Sequence, residues 1–218
     1  MKLLLIPDVH GRDFWIEPCK HIDEFDKVIF LGDYHDPYTF QVSPDTSRHR
    51  LKEQLVPFVE EHKDKVVCLR GNHDYSYLTE PFADRFDYYH KDEIKALLER
   101  MNPILGCQID GYLFTHSGVL PAWLEANNLT LDDVLNDNVP LKALMQVSPR
   151  RGGWDKCGSC VWGDVGEYHQ SVKIPELYQI FGHTQLENEI ITNEWACLDA
   201  RKAFTLDTET KELKAFEA

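Results

Sequence analysis

The chain has 218 residues, 43% of them hydrophobic and 11% aromatic, enough apolar material for a buried core. Its formal net charge of −14 argues against a general polyanion binder, so no nucleic-acid partner is expected. No apolar run approaches membrane-spanning length, the start is too short for a signal peptide, and no linker, repeat or low-complexity stretch divides the chain; a single cytoplasmic domain over 1–218 with no membrane partner is the expectation.

Residues 2–7 read as a buried strand ended by Pro7. Asp8-x-His10 follows, and alternate residues of an extended segment share a face, so a carboxylate and an imidazole can reach one metal. The same residues also suit a capped turn into a helix over 13–25, which would carry Phe14, Trp15, Ile16, Cys19 and Ile22 to the core. A second strand, 27–31, ends in Gly32-Asp33-Tyr34-His35-Asp36. His35 is there either a surface residue or a neighbour of the site. An irregular loop covers 37–45, and Asp45 or Thr46 is placed to cap a helix over about 46–63. The third strand, 65–70, delivers Leu69-Arg70-Gly71-Asn72-His73-Asp74, in which Gly71-Asn72 predicts an immediate turn out of the sheet. Strand–helix alternation of this kind implies a parallel sheet whose polar strand ends cluster on one edge, where sites of α/β proteins are built.

Residues 75–102 read as a connecting region ending in a helix, with Ile94, Leu97, Leu98 and Met101 at helical spacing. Its aromatics, Tyr75, Tyr77, Phe82, Phe86, Tyr88 and Tyr89, suit core or loop packing better than a base-stacking platform. Runs at 104–109 and 112–115 flank Asp110-Gly111, a hairpin signal, and the second run ends in His116-Ser117-Gly118. Residues 119–148 read as mostly helical, and 149–166 as a Gly-rich loop holding Arg150, Arg151 and Trp162-Gly163-Asp164. A strand over 177–181 ends in Gly182-His183-Thr184, and 189–216 reads as antiparallel strands with a hairpin turn at 207–211. Of six cysteines only Cys157 and Cys160 have chelating spacing. A lone pair is too few for a structural zinc site, and two free thiols are favoured over a redox pair or a staple.

Taken in order, Asp8-x-His10, Gly32-Asp33-x-x-Asp36, Gly71-Asn72-His73-Asp74, His116 and Gly182-His183-Thr184 resemble the calcineurin-like metallophosphoesterase superfamily. The run from Leu69 to Asp74, with Gly32-Asp33-Tyr34-x-Asp36, looks closest to its phosphoprotein phosphatase branch and the bacterial and phage relatives of that branch. The resemblance implies an α/β fold, a β-sandwich of two mixed sheets flanked by helices. It also implies two divalent metal ions. Asp8, His10 and Asp33 would hold one and Asp33, Asn72, His116 and His183 the other; the oxygen and nitrogen set suits Mn²⁺, Fe or Zn²⁺ better than Ca²⁺, and Mn²⁺ is the expected ion. By the same resemblance a hydroxide bridging the metals attacks phosphorus directly, and His73, oriented by Asp36, protonates the leaving oxygen.

The arginines that grip phosphate depart from the branch pattern. Pro37 stands where an Arg would follow Asp36, and the nearest cation after Trp162-Gly163-Asp164 is Lys173. Arg70, Arg150 and Arg151 are the candidates for substrate binding, Arg because its planar fork can hold phosphate at two points. The expected substrate is a phosphorylated protein or peptide (phosphoserine or phosphothreonine, with phosphotyrosine open) or a small phosphoester. A nucleotide hydrolase, such as a diadenosine polyphosphatase, is the alternative. A phosphodiesterase and a non-catalytic scaffold rank lower, the latter because all six ligand positions, His73 and Asp36 are present.

Overall fold

The computed structural model describes residues 1–79, 83–171 and 173–217, so Phe82 of the aromatic series lies outside the described residues. Among them run ten strands: β1 (Lys2–Ile6), β2 (Lys27–Phe30), β3 (Val66–Cys68), β4 (Gly106–Ile109), β5 (Tyr112–Thr115), β6 (Tyr178–Phe181), β7 (Ile190–Ile191), β8 (Trp195–Cys197), β9 (Phe204–Asp207) and β10 (Glu212–Ala215). They form two mixed five-stranded sheets in an α/β chain, as expected. The chain divides into two compact units, Met1–Pro103 with Arg201–Ala218, and Ile104–Ala200.

In the first unit the strand order is β10-β9-β1-β2-β3. β1 pairs in parallel with β2 and antiparallel with β9, and β2 pairs in parallel with β3. Leu3 to Ile6 are fully buried, which explains their unbroken apolar run: a central strand covered on both faces has no solvent side to alternate with. Helical segments over Pro44–Arg50, Leu51–Leu55 and Val56–Glu61 bring Leu51, Leu55, Val56 and Val59 into one core with Leu4, Ile6, Val28 and Phe30. The cap of the first of these is Ser43 rather than Asp45 or Thr46. Its hydroxyl accepts from the Thr46 amide at 3.1 Å, and Pro44 takes the first helical position, where a missing N–H costs nothing. The middle segment is a π turn immediately before Val56-Pro57; Pro57 cannot donate to the preceding turn, and the wider turn absorbs that lost bond.

The helix expected over 13–25 is reduced to Ile16–Cys19 and a 3₁₀ turn Ile22–Glu24, because Pro18 cannot donate to the carbonyl four residues back. The turn expected at Gly71-Asn72 is instead the start of a helix, Asn72–Thr79, so Asn72, His73 and Asp74 occupy a helical first turn. Helix Lys91–Met101 buries Ile94, Leu97, Leu98 and Met101, the face read from the sequence.

In the second unit the order is β4-β5-β6-β8-β7. The β4–β5 hairpin turns on Asp110 and Gly111, at φ 48° and 82°, the pair of positive angles that an Asp-Gly hairpin turn needs. β6 runs parallel to β5 and to β8, so the expectation of purely antiparallel strands over 189–216 fails at β8. That stretch also changes unit after residue 200, β9 and β10 returning to the first sheet. Three short helices, Pro121–Ala126, Leu131–Leu135 and Leu141–Leu144, fill 119–148, and the Trp123 indole, fully buried, donates to the Ala143 carbonyl at 3.1 Å.

Candidate active site

In the first unit the loops after β1 and β2 are zipped together. The amide of His10 donates to the Asp33 carbonyl at 2.7 Å and that of Gly11 to the Tyr34 carbonyl at 3.0 Å. The loop after β3 is fastened to them by Asp74. Its carboxylate accepts the amides of Asp33 (2.7 Å), Tyr34 (2.9 Å) and Gly71 (2.9 Å). The His73 amide in turn donates to Asp33 Oδ1 at 3.0 Å. A Cβ at position 71 would lie 2.1 Å from that same oxygen, so only glycine permits this approach. His10, Asp33 and Asp36 all have positive φ, 44°, 54° and 53°. Such angles are disfavoured for residues with a side chain and persist where surrounding contacts over-determine them, as at functional sites.

Asp8, His10, Asp33, Asp36, Asn72, His73 and Asp74 are all buried. His10 Nδ1 faces the carbonyls of His35 and Asp36 at 3.0 and 3.1 Å. Carbonyls only accept, so Nδ1 carries the proton and Nε2, 3.5 Å from Asp33 Oδ2, is left with its lone pair. Burial lowers the His10 pKa to about 3, outweighing the opposing pull of Asp33, so the ring is neutral at physiological pH. A neutral imidazole with its second nitrogen tied to backbone carbonyls is the form that ligates metal. Ligand atoms of His10, Asp33 and His73 lie within 4.8 Å of one another. This donor set of neutral nitrogen and buried carboxylate fits the divalent ions that the motif resemblance implies.

The imidazole of His73 is engaged at both nitrogens. Nδ1 lies 2.8 Å from Asp36 Oδ2 and Nε2 lies 3.2 Å from Nη2 of Arg85. The other oxygen of Asp36 accepts a hydrogen bond from the Tyr77 hydroxyl. Burial works to lower the pKa of His73, but Asp33 and Asp36 outweigh it and the net shift is upward. His35 is no surface residue: it is buried, with Nδ1 2.7 Å from the Ser47 hydroxyl and Nε2 3.9 Å from Asp87.

In the second unit His116 stands at the end of β5 and His183 follows β6 at φ 65°. His116 Nε2 lies 3.1 Å from His183 Nδ1. Arg151 holds the second histidine's loop, donating from Nη2 to the carbonyl of His183 (3.1 Å) and the hydroxyl of Thr184 (2.7 Å), with Nε 2.9 Å from the Asp164 carboxylate. Asp164 also caps the short helix Val165–Tyr168 through the Gly166 amide at 2.8 Å. Arg150 is exposed. Arg70 donates from Nη2 to the Pro103 carbonyl at 2.7 Å.

Three side chains at this site went unread in the sequence: Arg12, Tyr38 and Arg85. Arg12 is buried and donates to the Asp8 carbonyl at 3.0 Å, and the Tyr38 ring edges on His10 at 5.3 Å. The guanidinium of Arg85 lies 3.9 Å from the Tyr38 ring centre. Their signal was weak because none sits at a strand end. Only the positions of Arg12 and Tyr38, each two residues beyond a histidine or acid of the motifs, hinted at them.

In the first unit, neutral imidazole and buried carboxylate after β1 and β2 are the donors that a metal-dependent hydrolase uses. A family model, calcineurin-like phosphoesterase, matches residues 1–186, and the chain belongs to that family. It is therefore a metal-dependent phosphatase, a hydrolase of phosphoric esters. No curated protein matches it in sequence. Among solved structures, a cold-active protein tyrosine phosphatase is similar in fold at 17% identity, with 99% of this chain and 78% of that chain covered and a TM-score of 0.63. A protein serine/threonine phosphatase from Saccharomyces cerevisiae, described as similar to human phosphatase PP5, is 14% identical with 100% of this chain and 80% of that chain covered, at a TM-score of 0.52. Among the described residues no helix is long and apolar enough to cross a membrane.

Proposed function

We propose that this protein is a cytoplasmic phosphomonoesterase of the phosphoprotein phosphatase branch, of bacterial or phage type, a single functional domain acting on phosphorylated serine or threonine, and on tyrosine where the site admits it. The observation that carries the reading is the buried His73–Asp36 pair. An alkoxide of serine or threonine is a poor leaving group and needs a proton in the transition state, whereas a departing nucleotide phosphate does not. An imidazole whose pKa is raised by flanking carboxylates suits the first task. Asp36 receives His73 Nδ1 and the Tyr77 hydroxyl together, so it fixes both the direction and the tautomer of the ring.

The proposed ligand set is Asp8, His10, Asp33, Asn72, His116 and His183, with Mn²⁺ as the favoured ion; the motif resemblance and the neutral state of His10 support it. Bound divalent cations would neutralise phosphoryl oxygens and lower the pKa of water to about 7. The protein's own part is to orient the ester, shield it and supply the leaving-group proton from His73 Nε2.

The test is phosphate release by Mn²⁺-loaded protein from phosphoserine, phosphothreonine and phosphotyrosine peptides, p-nitrophenyl phosphate and diadenosine polyphosphates. His73→Asn should cut turnover of phosphoserine peptides by about 10²–10⁴-fold and that of p-nitrophenyl phosphate, a better leaving group, far less. Cleavage of the dinucleotides alone would move the function to nucleotide hydrolysis.

A further inference from the structure

The phosphate-gripping arginine expected after Asp36 is replaced by Pro37, yet a guanidinium reaches the same carboxylate loop from elsewhere in the chain. Arg85 Nε donates to the Asp36 carbonyl at 3.1 Å. Its Nη2 lies 3.2 Å from His73 Nε2, and its guanidinium carbon lies 3.9 Å from the ring centre of Tyr38. Arg85 has a positive φ of 63°, an angle uncommon for a residue with a side chain. Its side chain is 21% exposed, so it is reachable from solvent.

We propose that Arg85 is the phosphoryl-binding arginine of this site, delivered from the segment after helix Asn72–Thr79 in place of the missing arginine at position 37. The proposal rests on the reading of the site as a phosphomonoesterase and adds the residue that orients its substrate.

The argument is one of donors and acceptors. A guanidinium has five N–H donors and no acceptor, so at 3.2 Å the imidazole nitrogen is accepting. A cation placed against the nitrogen assigned to the leaving group serves little stability by itself, since a phosphoryl oxygen is a far better acceptor than a neutral imidazole. A bound phosphoryl oxygen would take the place of His73 Nε2 as the partner of Nη2 and free that nitrogen to take up from solvent the proton it then gives to the ester oxygen. Of the remaining bonds, Nε to the Asp36 carbonyl keeps the fork anchored, and among the described residues Nη1 meets Asp84 in a 3.2 Å ion pair, with the Asp84 side chain 87% exposed. Such a surface pair is weak and easily exchanged for phosphate. The Tyr38 ring, its centre 3.9 Å from the guanidinium carbon, holds the cation by a cation–π contact. By contrast, Arg12 is committed to the Asp8 carbonyl and Gln41, and Arg151 to the loop of His183 and Thr184.

The experiment compares the unsubstituted protein, Arg85→Ala, Arg85→Lys and the surface control Arg100→Ala, whose guanidinium pairs with Glu60. Inorganic phosphate is the probe, titrated into Mn²⁺-loaded protein by calorimetry and used as a competitive inhibitor of p-nitrophenyl phosphate hydrolysis. Arg85→Ala should raise both the phosphate dissociation constant and KM by about tenfold or more, with metal content unchanged, because a charge-assisted double hydrogen bond is lost. Arg85→Lys, which keeps the charge without the fork, should fall between, and Arg100→Ala should match the unsubstituted protein. Equal phosphate binding by the unsubstituted protein and Arg85→Ala overturns the proposal, as does an unsubstituted protein that binds no phosphate. If Arg85→Ala does not fold, Arg85→Lys decides, and phosphate binding within twofold of the unsubstituted protein overturns it. The calorimetric arm needs no turnover. Phosphate binding that depends on Arg85 in a protein that cleaves no ester would keep Arg85 as an anion site and remove the phosphomonoesterase reading instead.

Discussion

Gly71 passes so close to Asp33 that a methyl group on its Cα would lie 2.1 Å from Oδ1 of that carboxylate and 2.7 Å from its amide nitrogen. The loops after β2 and β3 are thereby held at a separation set by one absent side chain. Asp33 is the carboxylate proposed to be shared by both metals, so Gly71→Ala must displace it or its own strand end. Overpacking of this kind costs about 1–3 kcal/mol. The variant should unfold at lower denaturant concentration and bind less Mn²⁺ per chain, read by metal analysis after desalting. Unchanged metal content would mean that the loop shifts without moving Asp33.

Asp74 has a structural part distinct from its neighbours in the motif. Three backbone amides from two loops converge on its carboxylate. Asp74→Asn presents an NH₂ group to some of those donors and removes the charge. Hydrogen bonds to charged groups are worth about 1.5–3 kcal/mol each, so a loss of about 2–4 kcal/mol in chemical unfolding is expected. A loss below about 0.5 kcal/mol, the range of ordinary surface substitutions, would show that the amides find other acceptors.

Arg150 and Arg151 are neighbours with different fates. Arg151 is bonded to the His183 carbonyl, the Thr184 hydroxyl and Asp164, whereas Arg150 is exposed. Arg151→Ala should therefore lower kcat and Mn²⁺ affinity by loosening the loop that carries His183. Arg150→Ala should leave kcat and KM within about twofold, in the range typical of an exposed loop charge. A rise in KM for Arg150→Ala with unchanged kcat would instead assign it to substrate binding.

Removal of metal by a chelator should abolish phosphate release, and Mn²⁺ should restore it. The same treatment should lower Tm, because an ion that binds only the folded chain stabilises it, and Asp8 and Asp33 are buried acids that such an ion would compensate. A chelated protein with an unchanged Tm would argue that these carboxylates are compensated within the protein itself.

Among the described residues no cysteine is joined in a disulfide. Burial pushes Cys19, Cys68 and Cys107 up to about 12, and Cys157 is raised as well, by burial and then by Glu167. At pH 8 a group with a pKa near 12 is thiolate in only about one molecule in 10⁴, and the thiolate is the reactive form. Ellman's reagent should therefore titrate six thiols in denaturant and react slowly with the native protein at pH 8. Fewer than six in denaturant would indicate a Cys157–Cys160 bridge.

Much of the candidate site is legible as an expectation in order along the chain. Asp8, His10, Asp33, Asp36, Asn72, His73, His116 and His183 each come after a short apolar run, and a buried strand that stops at a polar residue must deliver that residue to a sheet edge. The segments that leave the strands were less legible. Asn72 was read as a turn because Gly-Asn breaks strands, but it opens a helix whose amides bring His73 onto Asp33. The cap is Ser43 and not Asp45 or Thr46, since Ser followed by Pro places the missing donor where it is harmless. The parallel pairing of β8 with β6 could not be read from a three-residue strand, since short apolar runs look alike in either direction.

The amino-acid sequence by itself determined the family, the strand-end acids and imidazoles, and the absence of an arginine at position 37, because these are matters of residue type and spacing along one strand at a time. Only the tertiary structure decided which groups meet. Asp74 reaches the amides of Asp33 and Tyr34, Tyr77 reaches Asp36, and Arg85 reaches His73 from twelve residues further along the chain. Such contacts depend on how loops from separate strands close over one another, and that closure is set by packing and hydrogen bonding across the sheet edge rather than by local periodicity.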